Sequence, residues 1–561
     1  MVTMHPLEHF YYGQFVRRGE PEGEPRLLAK SAGVAQSHVA DALRAALIPP
    51  LAGVPDGSWA LLRGQKVPFI FVQAGIGAAG QTMLHFIFMP ADVLRAIAGN
   101  ISTLLPLLHT EWPTYDRLGD ELMPLTLQVQ GAADDQTQID NLLELMTLTG
   151  NRIQNIEHLL GALVQGLPIV VYGAPKERQS RARFIEGMLT LLPPSARFSV
   201  TFATHTQSVT RVEAQIRFVE DKPPSGTVIF HWKQNKLLGD SVERNEYSRF
   251  ITSQLRLDPQ LVIEQNTRLT SVAGWRLRRG DRLVDALSYA SYRLKLDDAL
   301  QNNLPVEIEE VSRVLAEDPT LTDALRSTYA NHLVRLSLAL DDMQHADPIA
   351  ITLRNDPRLE QTVHSQLSEA LQNGKAHLIY ETLLRWLKNP LGPSGRIWTD
   401  LVHQAALAYV DEMLTRRDMR AIHAFIDRAI TIDESLSIGR IVPTLVEKLV
   451  PLIQVDKTLA QRLFVLAAYH LETERLRRLL TSKIFIQELP RSVAVLMAYI
   501  SGTQHTPPPP GTLYKAAAAF GDEHAPMVLI RFVGMADDRT LIHLLDADAL
   551  RGLLNAALSE R

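Results

Sequence analysis

Three stretches of the chain carry residue types whose spacing could do chemistry. The first is Gly75-Ile-Gly77-Ala-Ala-Gly80, a G-x-G-x-x-G directly after the apolar strand Val67–Gln73. In a dinucleotide site such glycines allow a tight turn and bring backbone close to a pyrophosphate at a helix N-terminus. That use requires a helix next. Gln81–Met89, which follows, has the composition of a strand, and no acidic residue closes a second strand at the expected distance. The stretch reads as a glycine-rich hairpin loop, with Gly75, Gly77 and Gly80 as its nucleotide-cradle alternative. The second stretch is Gly173-Ala-Pro175 followed by Lys176, Arg178, Arg181 and Arg183 at the start of a helix. Strand, glycine turn and basic helix suit phosphate. No G-x-x-x-x-G-K-[ST] occurs anywhere, and cations oppose the dipole at a helix start, so a solvated polar face is the first reading. The third is Trp275-Arg-Leu-Arg-Arg-Gly-Asp-Arg282. Trp275 could stack a base while Arg276, Arg278 and Arg279 meet phosphates. Asp281 lies among them, and a salt-bridged surface is preferred to nucleic-acid binding.

The remaining titratable groups assemble no recognisable site. His85 lies in an apolar strand without a partner at metal spacing and reads as a hydrogen-bonded core or sheet-face histidine. His5 and His9 are four apart, but nothing around them is helical, so they read as a solvated terminus. His109, Glu111 and Asp116 flank Trp112-Pro113 in a loop. Asp134-Asp135 is better explained by helix capping than by paired acid–base work. With no cysteine in the chain, disulfides, thiolate metal sites and a Cys nucleophile are excluded. No catalytic residue, metal or cofactor is assigned.

Composition bounds the class. Of 561 residues, 46% are hydrophobic and 21% charged, enough for several packed domains. The formal net charge of −5 supplies no positive field for nucleic acid or an acidic membrane. Met1–Gly19 lacks the apolar core of a signal peptide, and no apolar run approaches the roughly 18 residues of a membrane span. These features predict a cytoplasmic protein with no membrane contact.

The elements that must position these residues fall into four segments. Residues 1–130 mix strands with short helices and read as a small α+β domain. Residues 131–240 read as two helices, the strand Leu167–Gly173, a helix over Glu177–Leu192, and three strands within Arg197–Thr204, Ala214–Val219 and Gly226–Trp232. Residues 245–503 show apolar stripes at helical spacing, as in Ile422, Phe425, Ile426, Ala429 and Ile430. Such a string of helices buries its stripes by stacking into an α-solenoid. Asp-Pro at 258, 318, 347 and 356 reads as four helix starts, with irregular spacing that matches no repeat consensus. Gln504-His-Thr-Pro-Pro-Pro-Pro-Gly511 reads as a linker before a helical cap over 512–561.

One resemblance emerges from these segments. Gly166-Leu-Pro-Ile-Val-Val-Tyr-Gly173, Leu191-Leu192-Pro193 and Arg197-Phe198-Ser-Val-Thr-Phe202-Ala203-Thr204 resemble the middle domain of the GTPase-associated proteins of bacterial conflict systems. Tyr11-Tyr12-Gly13, Leu27-Leu28-Ala-Lys-Ser31-Ala-Gly33 and the glycine loop followed by Leu84-His85 resemble their N-terminal domain. The resemblance covers about residues 1–240. It implies a role in a multi-protein bacterial system beside a separate GTPase, and carries over no catalytic residue. The combined expectation is an α+β N-terminal half of two small mixed domains, then an all-α helical-repeat half, acting as a non-enzymatic adaptor for protein partners. A nucleotide or polyanion sensor or enzyme in the first 240 residues is the alternative, and nucleic-acid binding the second alternative.

Overall fold

Alternation of side chains along the strands builds the first unit around one sheet. The computed structural model describes residues 3–129, 131–207, 212–221, 223, 227–239, 242–354, 356–430, 438–480 and 487–559. The chain divides into two compact units, Met1–Asn302 and Asn303–Arg561.

In the first unit, β1 (Thr3–Leu7) pairs antiparallel with β8 (Leu125–Val129). The other strands are β2 (His9–Arg17), β3 (Glu20–Ser31), β4 (Ser58–Leu62), β5 (Phe69–Ile76), β6 (Thr82–Met89), β7 (Asp120–Leu122), β9 (Ile169–Tyr172), β10 (Phe202–Thr206), β11 (Ile216–Val219), β12 (Val228–His231) and β13 (Lys236–Gly239). They form a single 11-stranded sheet in the order β13-β12-β9-β11-β10-β4-β5-β6-β2-β3-β7. The strands from β4 to β3 are antiparallel, whereas β10, β11, β9 and β12 run parallel.

This continuity differs from the expected break near residue 130. The seam is β10 against β4, with Phe202 opposite Leu61 and Ala203 opposite Ala60. The Thr204 hydroxyl completes it, accepting the Trp59 N–H at 2.9 Å and donating to the Trp59 carbonyl at 2.8 Å. Two half-sheets whose edges pair in this way have no free edge at which to separate. Strand β10 also starts later than its alternation suggests. Pro194 opens a helical turn, α6 (Pro194–Arg197), and pairing begins only at Phe202.

Both faces of the sheet are covered. On one side α1 (Gln36–Ala45) packs Val39 and Ala42 on Ile70, Val72 and Phe86. On the other lie α2 (Ala91–Ile97), α3 (Asp135–Leu148), α4 (Ile153–Gln165) and α5 (Arg178–Thr190), joined by α7 (Glu246–Leu257), α8 (Pro259–Arg278) and α9 (Leu283–Gln301). The last three belong to this unit for a specific reason. Helix α5 stops just before Pro193-Pro194, leaving carbonyls without intrahelical donors. Asn266 Nδ2 donates to the Thr190 carbonyl at 3.0 Å and the Tyr247 hydroxyl to that of Leu191 at 2.8 Å. The buried Arg197 donates to the carbonyls of Leu192 and Ala98. Burial pushes its guanidinium down to about 10.

The second unit is helical. Helices α10 (Ile308–Glu317), α11 (Asp323–Ala339), α12 (Ile349–Leu353), α13 (Pro357–Gln372), α14 (Ala376–Lys388), α15 (Arg396–Arg416), α16 (Met419–Ile430), α17 (Val442–Leu449), α18 (Lys457–His470) and α19 (Thr473–Leu480) are followed by further helices from Arg491 to Ser559. Helices α11, α13 and α15 pack in one layer, and α16 packs on α18 in the other. Polar ties join each helix to the equivalent one in the next pair at nearly constant separation. Gln366 donates to Asn331 across 35 residues, Trp398 to Glu360 across 38, and Lys448 to Asp411 across 37. The other layer shows the same step, with His423 on Asp456 across 33 residues and Trp386 on Asp347 across 39. A unit of about 36 residues is therefore present structurally although no consensus marks it.

Of the four Asp-Pro pairs, Asp258 and Asp356 are N-caps with proline at the first helical position. Asp318 instead follows the last turn of α10 and receives the Thr320 N–H, and Asp347 ties to Trp386 and Arg385. The proline run 507–510 connects helices Arg491–Ile500 and Thr512–Ala518, which pack on each other, so it spans a short gap rather than spacing two bodies. Gly226, where the third expected strand of this segment begins, lies outside the described residues, and β12 occupies Val228–His231. Among the described residues no helix is long and apolar enough to cross a membrane.

Candidate functional site

The glycine loop is a hairpin turn between the antiparallel strands β5 and β6. Three of its backbone donors are engaged within it. Gly77 N–H donates to the Gln81 carbonyl, Ala79 N–H to Gln81 Oε1, and Gly80 N–H to the Gly77 carbonyl. The Gln81 side chain occupies the space against Gly77, and a Cβ at Gly75 would meet the Trp112 indole at 2.5 Å. Only Gly80 needs its glycine for a left-handed conformation, at φ +80°. A phosphate would find these three amides already engaged.

The basic turn is bound in ion pairs. Lys176 and the buried Arg181 both meet Glu220, at 3.5 and 3.4 Å, and Arg178 meets Asp56 at 3.0 Å. Arg181 also donates to the carbonyls of Pro175 and Thr204. It ties the turn to the ends of β10 and β11, while burial lowers its basicity against the pull of Glu220. Arg183 pairs with Glu144 at 2.8 Å.

The third cluster closes on itself. Arg276 and Arg279 lie over the Trp275 ring at 5.5 and 5.2 Å, and Arg276 also faces Tyr289 and pairs with Asp281. A base seeking to stack on Trp275 would have to displace a guanidinium. Arg278, at the C-terminal end of α8, runs back along Gly274. Basic residues there favour the helix dipole.

The most connected polar group is one that sequence spacing does not bring together. His9, Tyr11, Gln73 and His85 sit on adjacent strands, with Tyr11 and Gln73 directly opposite His85 on either side. His109 enters from the loop after α2. His9 Nε2 donates to the Met123 carbonyl at 3.0 Å. That carbonyl only accepts, so His9 Nδ1 is free to accept from His85 Nε2, at 3.0 Å. His85 Nδ1 then accepts from His109 Nε2 at 3.1 Å, and the same nitrogen lies 2.8 Å from the Tyr11 hydroxyl. A tautomer with hydrogen on each Nε2 links the three imidazoles, and the single His109 Nε2–H is then shared between His85 Nδ1 and the Tyr11 hydroxyl oxygen. Gln73 fixes His109 by its backbone, accepting its N–H and donating to its carbonyl.

Burial lowers the basicity of all three imidazoles, most for His85, which also faces the charges of His109 and His9 if they ionise. Burial raises Tyr11. The group is a neutral hydrogen-bonded relay. His9 is therefore a buried strand residue, not the solvated terminus expected of it, because β2 inserts between β3 and β6. His85 is the hydrogen-bonded sheet-face histidine that its strand composition implies. Among the described residues no group of three His, Asp or Glu side chains could hold a metal. The ring nitrogens face one another rather than a common point.

Tyr11 stacks on His85 at 4.2 Å and packs against Tyr115 at 5.6 Å. Tyr115 lines a cleft of about 450 Å³ between the β2–β3 hairpin, the glycine loop and residues 113–116. Its apolar side includes Phe15, Leu28 and Met83, and its rim carries Arg18 and Asp116. No protein-family model and no curated protein matches this chain.

Proposed function

We propose that the chain is a non-enzymatic adaptor or scaffold acting by protein–protein interaction in a bacterial multi-protein defence or signalling system of the GTPase-associated kind. The reading rests on one observation above the rest, the stacked helix pairs of residues 303–561. Their polar ties run from repeat to repeat and hold a long surface in register. Arrays of this kind bind along extended faces, and rigid ties reduce the ordering cost of doing so. Exposed Leu340, Ile351, Leu391 and Val455 supply apolar anchors near the turns.

The internal use of the loop amides and the ion pairing of the basic turn favour this reading over a nucleotide or polyanion sensor. The self-stacked Trp275 cluster favours it over nucleic-acid binding. The resemblance of residues 1–240 implies a protein partner from the same system, a separate GTPase or another component, and the chain is read as cytoplasmic. The test is retrieval of the tagged full-length chain from its native host under gentle conditions. Co-purification of a defined partner in fixed ratio is the expected result. Recovery of the chain alone, or turnover by the purified protein that a point substitution abolishes, overturns the reading.

A further inference from the structure

The β2–β3 hairpin turns at Arg18-Gly19, with φ of +53° and +88°. Two consecutive left-handed residues in a two-residue hairpin demand Asn-Gly or Gly-Gly, and arginine is a poor choice for the first position. The strained residue lines the cleft, and its guanidinium has no ion-pair partner among the described residues. Backbone strain retained where an easier residue would serve points to a use for that side chain.

Asp116 lines the same cleft and likewise lacks an ion-pair partner among the described residues, and Arg18 and Asp116 do not pair with each other. Tyr115 leaves its hydroxyl without a protein partner there. Phe15, Leu28 and Met83 supply the apolar side. Two opposite, uncompensated charges flanking an apolar surface are complementary to a molecule that carries both charges and an apolar body. Phosphate esters fit worse, since the amides of Gly77, Ala79 and Gly80 beside the cleft already bond within the loop and Asp116 would repel an anion.

We propose that this cleft binds a zwitterion with an apolar side chain, a free α-amino acid or a short peptide. The carboxylate sits on Arg18, the ammonium on Asp116, and the side chain against Phe15, Leu28 and Met83. The site goes beyond the adaptor reading and does not depend on it.

Titration calorimetry on the full chain tests this with L-phenylalanine, the Phe-Phe dipeptide, N-acetyl-phenylalanine and phenylalanine amide. Phenylalanine or the dipeptide is expected to bind saturably, and each blocked form at least about tenfold more weakly. The tighter of the two unblocked probes identifies the source, amino acid or peptide. Arg18→Asn and Asp116→Asn are each expected to lose about tenfold in affinity. Asn suits the left-handed turn, so Arg18→Asn is expected to melt no lower than the parent chain while binding less. The proposal is overturned if neither unblocked probe saturates at millimolar concentration, if a blocked probe binds as tightly as its parent, or if Arg18→Asn binds unchanged.

Discussion

The indole N–H of Trp398 donates to the Glu360 carboxylate at 2.6 Å, joining α15 to α13 one repeat earlier. Trp398 is fully buried, so the bond also decides which way the ring enters the layer. Trp398→Phe keeps most of the ring and removes the donor. A charge-assisted bond of this kind is worth about 1.5–3 kcal/mol. Urea unfolding is expected to show a lowered midpoint, corresponding to a stability loss of about that size, with unchanged far-UV circular dichroism. An unchanged midpoint would mean the ties between repeats do not hold the array.

Thr204 makes a similar case at the seam of the sheet. Thr204→Val preserves shape and leaves the Trp59 N–H and carbonyl buried without partners. The expected cost is about 2–4 kcal/mol, from two unsatisfied groups. Hydrogen exchange should localise the loss to β4 and β10, leaving the helical unit unaffected.

The imidazole relay makes the first unit sensitive to mild acid. All three histidines have folded-state values below the ordinary 6.5 because burial disfavours their charged forms. The unfolded chain then binds more protons than the folded one below pH 6.5, so stability present above that pH is lost as pH falls toward the folded values. The melting temperature of the first unit is expected to drop between pH 7 and pH 5. His85→Gln is expected to be less stable at pH 8 and to show a shallower pH dependence. A parallel curve would remove the relay as the cause.

Asp41 acts over a different window. Burial works to raise its carboxyl, but the amides of Lys66, Gln65 and Val67, with Arg44, outweigh burial and bring it to about 2. Its contribution is present above the ordinary 3.8 and is lost as pH falls from there toward 2. Asp41→Ala strands three amides in the 65–67 turn and is expected to cost about 2–4 kcal/mol at pH 7. Near pH 2 its melting temperature should converge on that of the parent.

Much of the architecture was legible because periodicity is local. The stripe Ile422, Phe425, Ile426, Ala429 and Ile430 is buried as its spacing implies. The switch from mixed strands and helices to helices alone falls where the composition places it. The hairpin reading of Gly75–Gly80 followed from the strand composition of Gln81–Met89. The relay was not legible, because His9, His85 and His109 meet only through a register that links β2, β6 and a later loop. The continuity of the sheet was hidden for the same reason, since nothing near Trp59 names Thr204 as its neighbour. The length of the repeat was not legible because its regularity lies in polar pairs of changing residue type, such as Asn331–Gln366 and Glu360–Trp398, rather than in a recurring motif. The inclusion of α7 to α9 in the first unit turned on Tyr247 and Asn266, whose partners are carbonyls, and carbonyls leave no trace in a sequence.

The β4–β10 seam also sets a timetable for synthesis. Every residue of β4 is buried in the finished sheet, and its partner strand lies about 145 residues further along. At about 5–20 residues per second, the ribosome needs roughly 7–30 s to deliver that partner. For that interval β4 presents Trp59, Leu61 and an unpaired backbone edge to the surrounding solution. Nascent chains held in this state are open to capture by a chaperone or by one another, so the yield of folded protein should depend on translation speed between codons 62 and 206 more than anywhere else in the first unit.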